Sequence, residues 1–248
     1  GFDPSHPFKN RDPRFYHDIV FDGFQYINTT IAKDDDDYQF KYIQMYTGSN
    51  LRSSASQGCR TGYYCQKLVP HQANKYDGMY NWGGALQCDL PYMRLADIYL
   101  MYAEAGAAAQ GANYKSSKCN LTAVDAINVL RDRVDAGHVA DKFVADQKKF
   151  MDEVRRERAV ELAFEGFRWN DLQRWLLLTE YPYNIKTSQE FMRVGNYDFT
   201  KNDPRDAEVT GWSEKTILTR DYSEKHYLLP LKQDDVYLYP EFGQNPGW

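Results

Sequence analysis

Apolar and polar positions are arranged differently on the two sides of residue 90. Residues 1–90 hold no sustained helical period and are punctuated by Pro4, Pro7, Pro13 and Pro70 and by glycines such as Gly23, Gly48, Gly62 and Gly84. Alternating, β-prone pieces occupy residues 14–21 and 38–46, so this part predicts long loops with a few short strands. From Pro91, which suits a first helical turn, residues 92–110 predict a helix with Arg94, Asp97 and Glu104 on a polar stripe. Its run Ala103, Ala105, Gly106, Ala107, Ala108 and Ala109 would let another helix approach closely, and Gly111 would stop it. Thr122, followed by Asp125, has the form of a capping box. Val124, Ile127, Leu130 and Val134 then mark one helical face that ends at Gly137, giving a helical hairpin with the first helix. Residues 146–164 predict a third helix and residues 167–178 a shorter one. Residues 181–226 read as loops, and residues 234–239 as one or two helical turns. The pattern as a whole is that of a mainly α protein with long irregular loops.

Composition adds a lean towards binding. The 248 residues carry 20 Tyr and 5 Trp at a mean hydropathy of -0.71, more amphipathic rings than a modest core needs. A net charge of -5 argues against nucleic acid as the main partner, and no apolar run reaches the length of a membrane-spanning helix. The chain opens Gly1-Phe2-Asp3 without an initiator Met, so an upstream segment is expected to have been removed. Cys59, Cys65, Cys88 and Cys119 form no zinc-ligand spacing. Two readings stand for Cys59 and Cys65: a disulfide closing the short loop between them, or free buried thiols. The run Asp34, Asp35, Asp36 and Asp37 is read as a solvated loop tip, with a calcium site as the alternative.

Particular segments resemble one family. Arg94-Leu-Ala-Asp-Ile-Tyr-Leu-Met-Tyr-Ala-Glu-Ala105 is similar to the "RLAE-x-YL-x-YAEA" helix of the SusD/RagB family, and Ala126-Ile-Asn-Val-Leu-Arg-Asp-Arg133 to the helix that follows it there. Residues 154–175 resemble its "ERRxELAFEGxRWxDLxRW" signature. Asn10-Arg-Asp-Pro-Arg-Phe15 resembles its "DPR" strand, and Leu228-Leu-Pro-Leu231 with Gln244-Asn-Pro-Gly-Trp248 its ending. Departures are Asp97 for Glu, Asn170 where an aromatic is common, and Leu231 for Ile. The resemblance implies a SusD-like fold of tetratricopeptide-like helix pairs decorated by long loops. Residues 1–90 would be a loop-rich, ligand-facing segment and residues 91–248 the helical region, together the C-terminal half of one larger domain. It further implies a missing N-terminal half that bears a lipid-anchored Cys at the outer surface of a Bacteroidetes-type outer membrane. There the protein would bind glycan and cap a SusC-like TonB-dependent transporter; an oligopeptide-binding lid or a structural subunit of the same kind of transporter is the alternative.

Candidate chemistry divides in two. Glu157, Glu161 and Glu165 invite comparison with paired glycosidase carboxylates, which must flank a bond across a cleft with one pKa raised. Arg155, Arg158, Arg168 and Arg174 lie near them in sequence, so these acids, with Arg158 and Arg168, are read as a structural salt-bridge network. No nucleophile elbow, phosphate loop or dinucleotide fingerprint occurs, and the expectation is a protein that is not an enzyme and takes no cofactor. Sugar recognition needs flat apolar faces beside fixed hydrogen-bonding groups. The loop stretch with Tyr63, Tyr64, Tyr76, Tyr80, Asn81 and Trp82 supplies both and is the candidate ligand site; packing between loops or against the transporter is the other reading.

Overall fold

The computed structural model describes residues 1–52, 58–70, 72–78 and 89–248. Its first element departs from expectation. Residues 14–21 begin not as a strand but as helix α1 (Pro13–Asp18), followed by the two-residue strand β1 (Ile19–Val20). The Asp12 side chain accepts from Arg14 N–H at 3.0 Å, and Pro13 sits at the first helical position with its φ already helical. These local signals outweigh the β propensity of Phe15 and Tyr16. β1 pairs antiparallel with β2 (Tyr64–Cys65). The piece at 38–46 is likewise no strand: it holds a 3-10 turn over Asp36–Phe40 and a single bridge between Gln25 and Tyr42.

Helix α2 (Leu95–Gln110) starts three residues later than the pattern suggests, because Arg94 is extended (φ -135°, ψ 158°). It ends at Gly111, whose positive φ of 89° and N–H bonds to the carbonyls of Gly106 and Ala107 close the last turn. Helix α3 (Ala123–Asp132) carries the reciprocal Thr122–Asp125 capping box and stops before Val134. A short turn, α4 (Asp141–Val144), precedes α5 (Gln147–Glu161), whose Asp146 accepts from Lys149 N–H at 2.9 Å. Helices α2, α3 and α5 enclose a core of Ala103, Ala107, Ala123, Ala126, Ile127, Phe150 and Val154. Small residues on α2 and α3 bring the backbones together: a Cβ on Gly106 would lie 2.8 Å from the Ala123 Cβ. The fully buried Phe150 fills the remaining space, burial that contributes roughly 1.5–3 kcal/mol.

After α6 (Arg168–Arg174) comes the largest difference from the sequence reading. The supposed loops of 181–226 contain a long antiparallel hairpin, β3 (Ile185–Arg193) with β4 (Val209–Thr219), registered from Ile185 opposite Thr219 to Arg193 opposite Val209. β4 is exposed along most of its length, so no clean apolar alternation marks it. The hairpin inserts Phe191 and Val209 into a second core with Phe8, Val20, Phe21, Ile43, Met45 and Cys59. Arg52 fastens it from the facing loop, donating to the Gln189 carbonyl at 2.8 Å and pairing with Glu190 at 2.8 Å. The last helix, α7 (Gln233–Leu238), lies where one or two turns were expected.

Candidate functional site

Helix α5 turns its glutamates inward. Glu153, Glu157 and Glu161 recur every four residues and so share one face; Glu157 is fully buried and Glu161 is 2 % exposed. The cations they meet come from distant segments. Arg14 of α1 reaches Glu157 at 2.6 Å and Glu161 at 2.9 Å through one Nη1. Arg131 of α3 binds Glu157 at 2.8 Å and also Glu153. Arg94, ahead of α2, grips Glu165 with two bonds of 2.7 Å and reaches Glu161 at 2.6 Å, where Arg133 also arrives at 2.6 Å. Lys67 meets Glu165 at 2.7 Å. A second knot forms where Arg158 joins Asp97 of α2 at 2.5 Å to Asp171 of α6 at 2.7 Å. Fork-shaped guanidinium bonds of this kind fix orientation as well as charge.

The sequence placed these acids beside the wrong cations. Arg174 pairs with Glu104 and Asp171, and Arg155 with Asp152. Arg168 takes no part in the network: its guanidinium stands 5.3 Å over the Tyr183 ring. Helical spacing reports neighbours on one helix surface, whereas these acids face away from it into contacts between elements. The signal that could have found their partners was present, since Arg14, Arg94, Arg131 and Arg133 sit in the very motifs quoted above.

Electrostatics follow from this geometry. Burial by itself raises the carboxyl pKa of Glu161, but hydrogen bonds from Arg94 and Arg14 and the charge of Arg133 outweigh it, leaving a value below the ordinary one. Glu165 shifts the same way, burial being overcome by Arg94 and Lys67. A cavity of about 440 Å³ opens over the network beside Arg14, Lys67, Arg94, Arg133 and Glu161. Its lining acids Asp18 and Glu161 both stand beside cations, Lys67 and Arg94.

Of the proposed ligand loop, Trp82, Tyr80 and Asn81 lie outside the described residues, as does Cys88. Tyr63 is a packing residue: its ring is edge-on to Phe15 at 5.7 Å and its hydroxyl bonds Gln189 Oε1. Burial pushes that hydroxyl's pKa up to about 12. Tyr64, on β2, is 37 % exposed. Tyr76 donates to Asp35 at 2.9 Å and to Asp37 at 3.1 Å, and Lys75 lies 4.8 Å from its ring. Asp77 then accepts from the backbone N–H groups of Asn28 and Thr29 and from Asn74 Nδ2 at 2.8 Å. Residues 72–78 are thereby tied to residues 26–37, immediately ahead of the candidate rings.

Two alternatives raised from the sequence are corrected here. Cys59 and Cys65 are free thiols; the Cys59 Sγ is turned to the Tyr63 carbonyl at 2.9 Å and the Cys65 Sγ to that of Lys67. The acidic run holds no cation cage. Asp35 caps the 3-10 turn, Asp37 pairs with Lys75, and among the described residues no group of three or more potential ligands could hold a metal. One ring-bearing surface was missed. Trp169, Tyr222, His226 and Trp248 follow one another at centroid distances of 5.5, 5.6 and 5.4 Å. Sequence distance hid that row, which joins α6 to the C-terminus.

A family model described as the SusD family matches residues 2–248. Among solved structures, a SusD-like protein from Bacteroides fragilis NCTC 9343 superposes with a TM-score of 0.67 at 24% identity, over 98% of this chain and 40% of that one. A second protein from the same organism, titled a SusD-like carbohydrate binding protein, gives a TM-score of 0.59 at 23% identity over 96% of this chain and 42% of that one. At those identities the likeness speaks for the fold. The chain thus spans about two-fifths of the length of these relatives. No curated protein matches it.

Proposed function

The chain belongs to the SusD family, and on that footing we propose that it is part of a surface protein that captures oligo- or polysaccharide without altering it. The capture protein caps a SusC-like TonB-dependent transporter and is held at the outer surface of the outer membrane by a lipid on an N-terminal Cys that lies outside this chain. Among the described residues no helix is long and apolar enough to cross a membrane.

The observation that carries this reading is the pairing of Glu157, Glu161 and Glu165 with Arg14, Arg131, Arg94 and Lys67. Among them, Glu161 and Glu165 have pKa values held below the ordinary one by Arg94, Arg14 and Lys67, which suits a scaffold and makes them poor proton donors. Recognition then falls to the loops, where Tyr76 and Asp77 anchor the segment leading to Tyr80, Asn81 and Trp82. The relative titled a carbohydrate binding protein supports glycan as the cargo.

Affinity electrophoresis of the full-length protein through gels containing single polysaccharides, with peptide mixtures as a parallel arm in calorimetry, tests the cargo. Retardation by at least one glycan is expected, reduced in Trp82→Ala at an unchanged melting temperature. Binding of peptides with indifference to every glycan would instead assign an oligopeptide-binding lid.

A further inference from the structure

A cavity of about 460 Å³ lies between α6, the start of β3 and residues 220–222, outside the candidate ligand loop. That volume falls within the range of small-ligand sites. Its wall is built from Trp169, Tyr183, Tyr222 and Pro182, with Arg168 and Arg220 among the lining residues. Among the described residues no acidic side chain lines it.

The two arginines differ from those that brace the helices and the hairpin. Arg14, Arg94, Arg131, Arg158, Arg174 and Arg193 each meet a carboxylate. Arg168 has no ion pair among the described residues; it rests over the Tyr183 ring, feels the Asp171 charge without bonding it, and burial draws its pKa below the usual arginine value. Among the described residues the Arg220 guanidinium donates only long bonds, 3.4 Å to the Tyr183 carbonyl and 3.3 Å to that of Ile185. A guanidinium in a concave site without a carboxylate leaves its planar fork available for one. Beside it, Trp169 is 36 % exposed, and its ring meets Tyr222 at 5.5 Å in an edge arrangement. The row of rings continues through His226 to Trp248, whose ring has Lys225 4.4 Å over it.

We propose that this cavity is a second saccharide subsite that selects an acidic sugar unit, a uronate, holding its carboxylate between Arg168 and Arg220 and its C–H face against Trp169. The inference rests on the glycan-capture reading and adds a substrate class to it. A chain of net charge -5 repels polyanions at long range, so affinity for an acidic glycan has to come from a local site such as this.

The test uses calorimetry on the complete protein with polygalacturonate, the same polymer after reduction of its carboxyl groups, and a neutral polysaccharide. The expected result is binding to polygalacturonate, weakened about tenfold or more by carboxyl reduction, a comparison that needs no variant. Arg168→Gln and Arg220→Gln are expected to cause a similar loss, with neutral-glycan binding and circular dichroism unchanged. Equal affinity for the native and reduced polymers overturns the subsite while leaving capture of neutral glycans standing. So does undiminished polygalacturonate binding in the double variant, or its loss in Trp82→Ala alone. Displacement by oligoglutamate as effectively as by oligogalacturonate would show an anion site without sugar selectivity and reject the proposal. Failure of every glycan, acidic or neutral, would remove the capture reading itself.

Discussion

At the residue scale, the buried acids of α5 couple segments far apart in the chain. One guanidinium, Arg14, serves both Glu157 and Glu161 from a position 143 residues away from the first of them. Removing it leaves two buried carboxylates with fewer counter-charges, a change that costs about 3–5 kcal/mol in comparable buried pairs. Arg14→Ala is therefore expected to lower the unfolding free energy measured in urea by that order, far more than truncation of the exposed Lys201. The same contacts make stability pH-dependent. Glu161 and Glu165 have folded-state pKa values below their ordinary 4.5, so their contribution is complete above that value and is lost as pH falls through the folded ones. Thermal melts taken downward from pH 5 should show a fall that Glu165→Gln makes shallower, and an unaltered slope in that variant would remove Glu165 from the effect. From sequence, the abundance of arginine around these acids was legible and the identity of the partners was not. Arg14, Arg131 and Arg133 are brought in by the packing of α1 and α3, which no local spacing encodes.

At the element scale, legibility tracked how local the determining physics is. The Thr122–Asp125 box and the small-residue run of α2 act within a few residues or along one face, and both were read directly. Close approach at Gly106 gives this run an energetic test. A side chain there would press on Ala123 and Tyr114, with contacts of 2.8 Å already at the Cβ. Overpacking of that kind typically costs about 1–3 kcal/mol, so Gly106→Leu should lower the unfolding free energy measured by chemical denaturation by that amount. Gly78→Ala, with open space around its Cβ but a positive φ of 74°, should cost less. The β3–β4 hairpin escaped notice for the opposite reason. Its stability comes from Phe191 and Val209 meeting residues of the first third of the chain, while Glu214, Lys215 and Thr216 remain in solvent and erase the period. At α1, the Asp12–Pro13 cap lies in the sequence and decides the helix against the β-prone residues that follow it.

At the scale of the whole molecule, charge and apolar surface are divided. Ion pairs fasten the helices and the first loops to one another, whereas α2 turns Leu95, Ile98 and Met101 outward, next to a nearly fully exposed Tyr92. Relatives of more than twice this length have additional chain with which to cover such a face. Residues 1–248 expressed alone should therefore self-associate on size-exclusion chromatography with light scattering, and Leu95→Ser with Ile98→Ser should reduce it; a monomer without those substitutions would show that the exposed face is tolerated. The family and its helical framework were legible because their motifs are long. The candidate rings Tyr80 and Trp82 rest on their place in the sequence alone, and what the described residues add is the anchoring of residues 72–78 through contacts such as Asp77 with Asn28 and Thr29.

The central claim is that the acids after Val154 brace a scaffold and the cargo leaves as it arrived. The most direct measurement is to incubate full-length protein with the glycan that retards it and then quantify reducing ends and ligand length by mass spectrometry. The account predicts bound ligand recovered at its original length, with no reducing ends above the protein-free control. New reducing ends that disappear in Glu157→Gln or Glu161→Gln would contradict it.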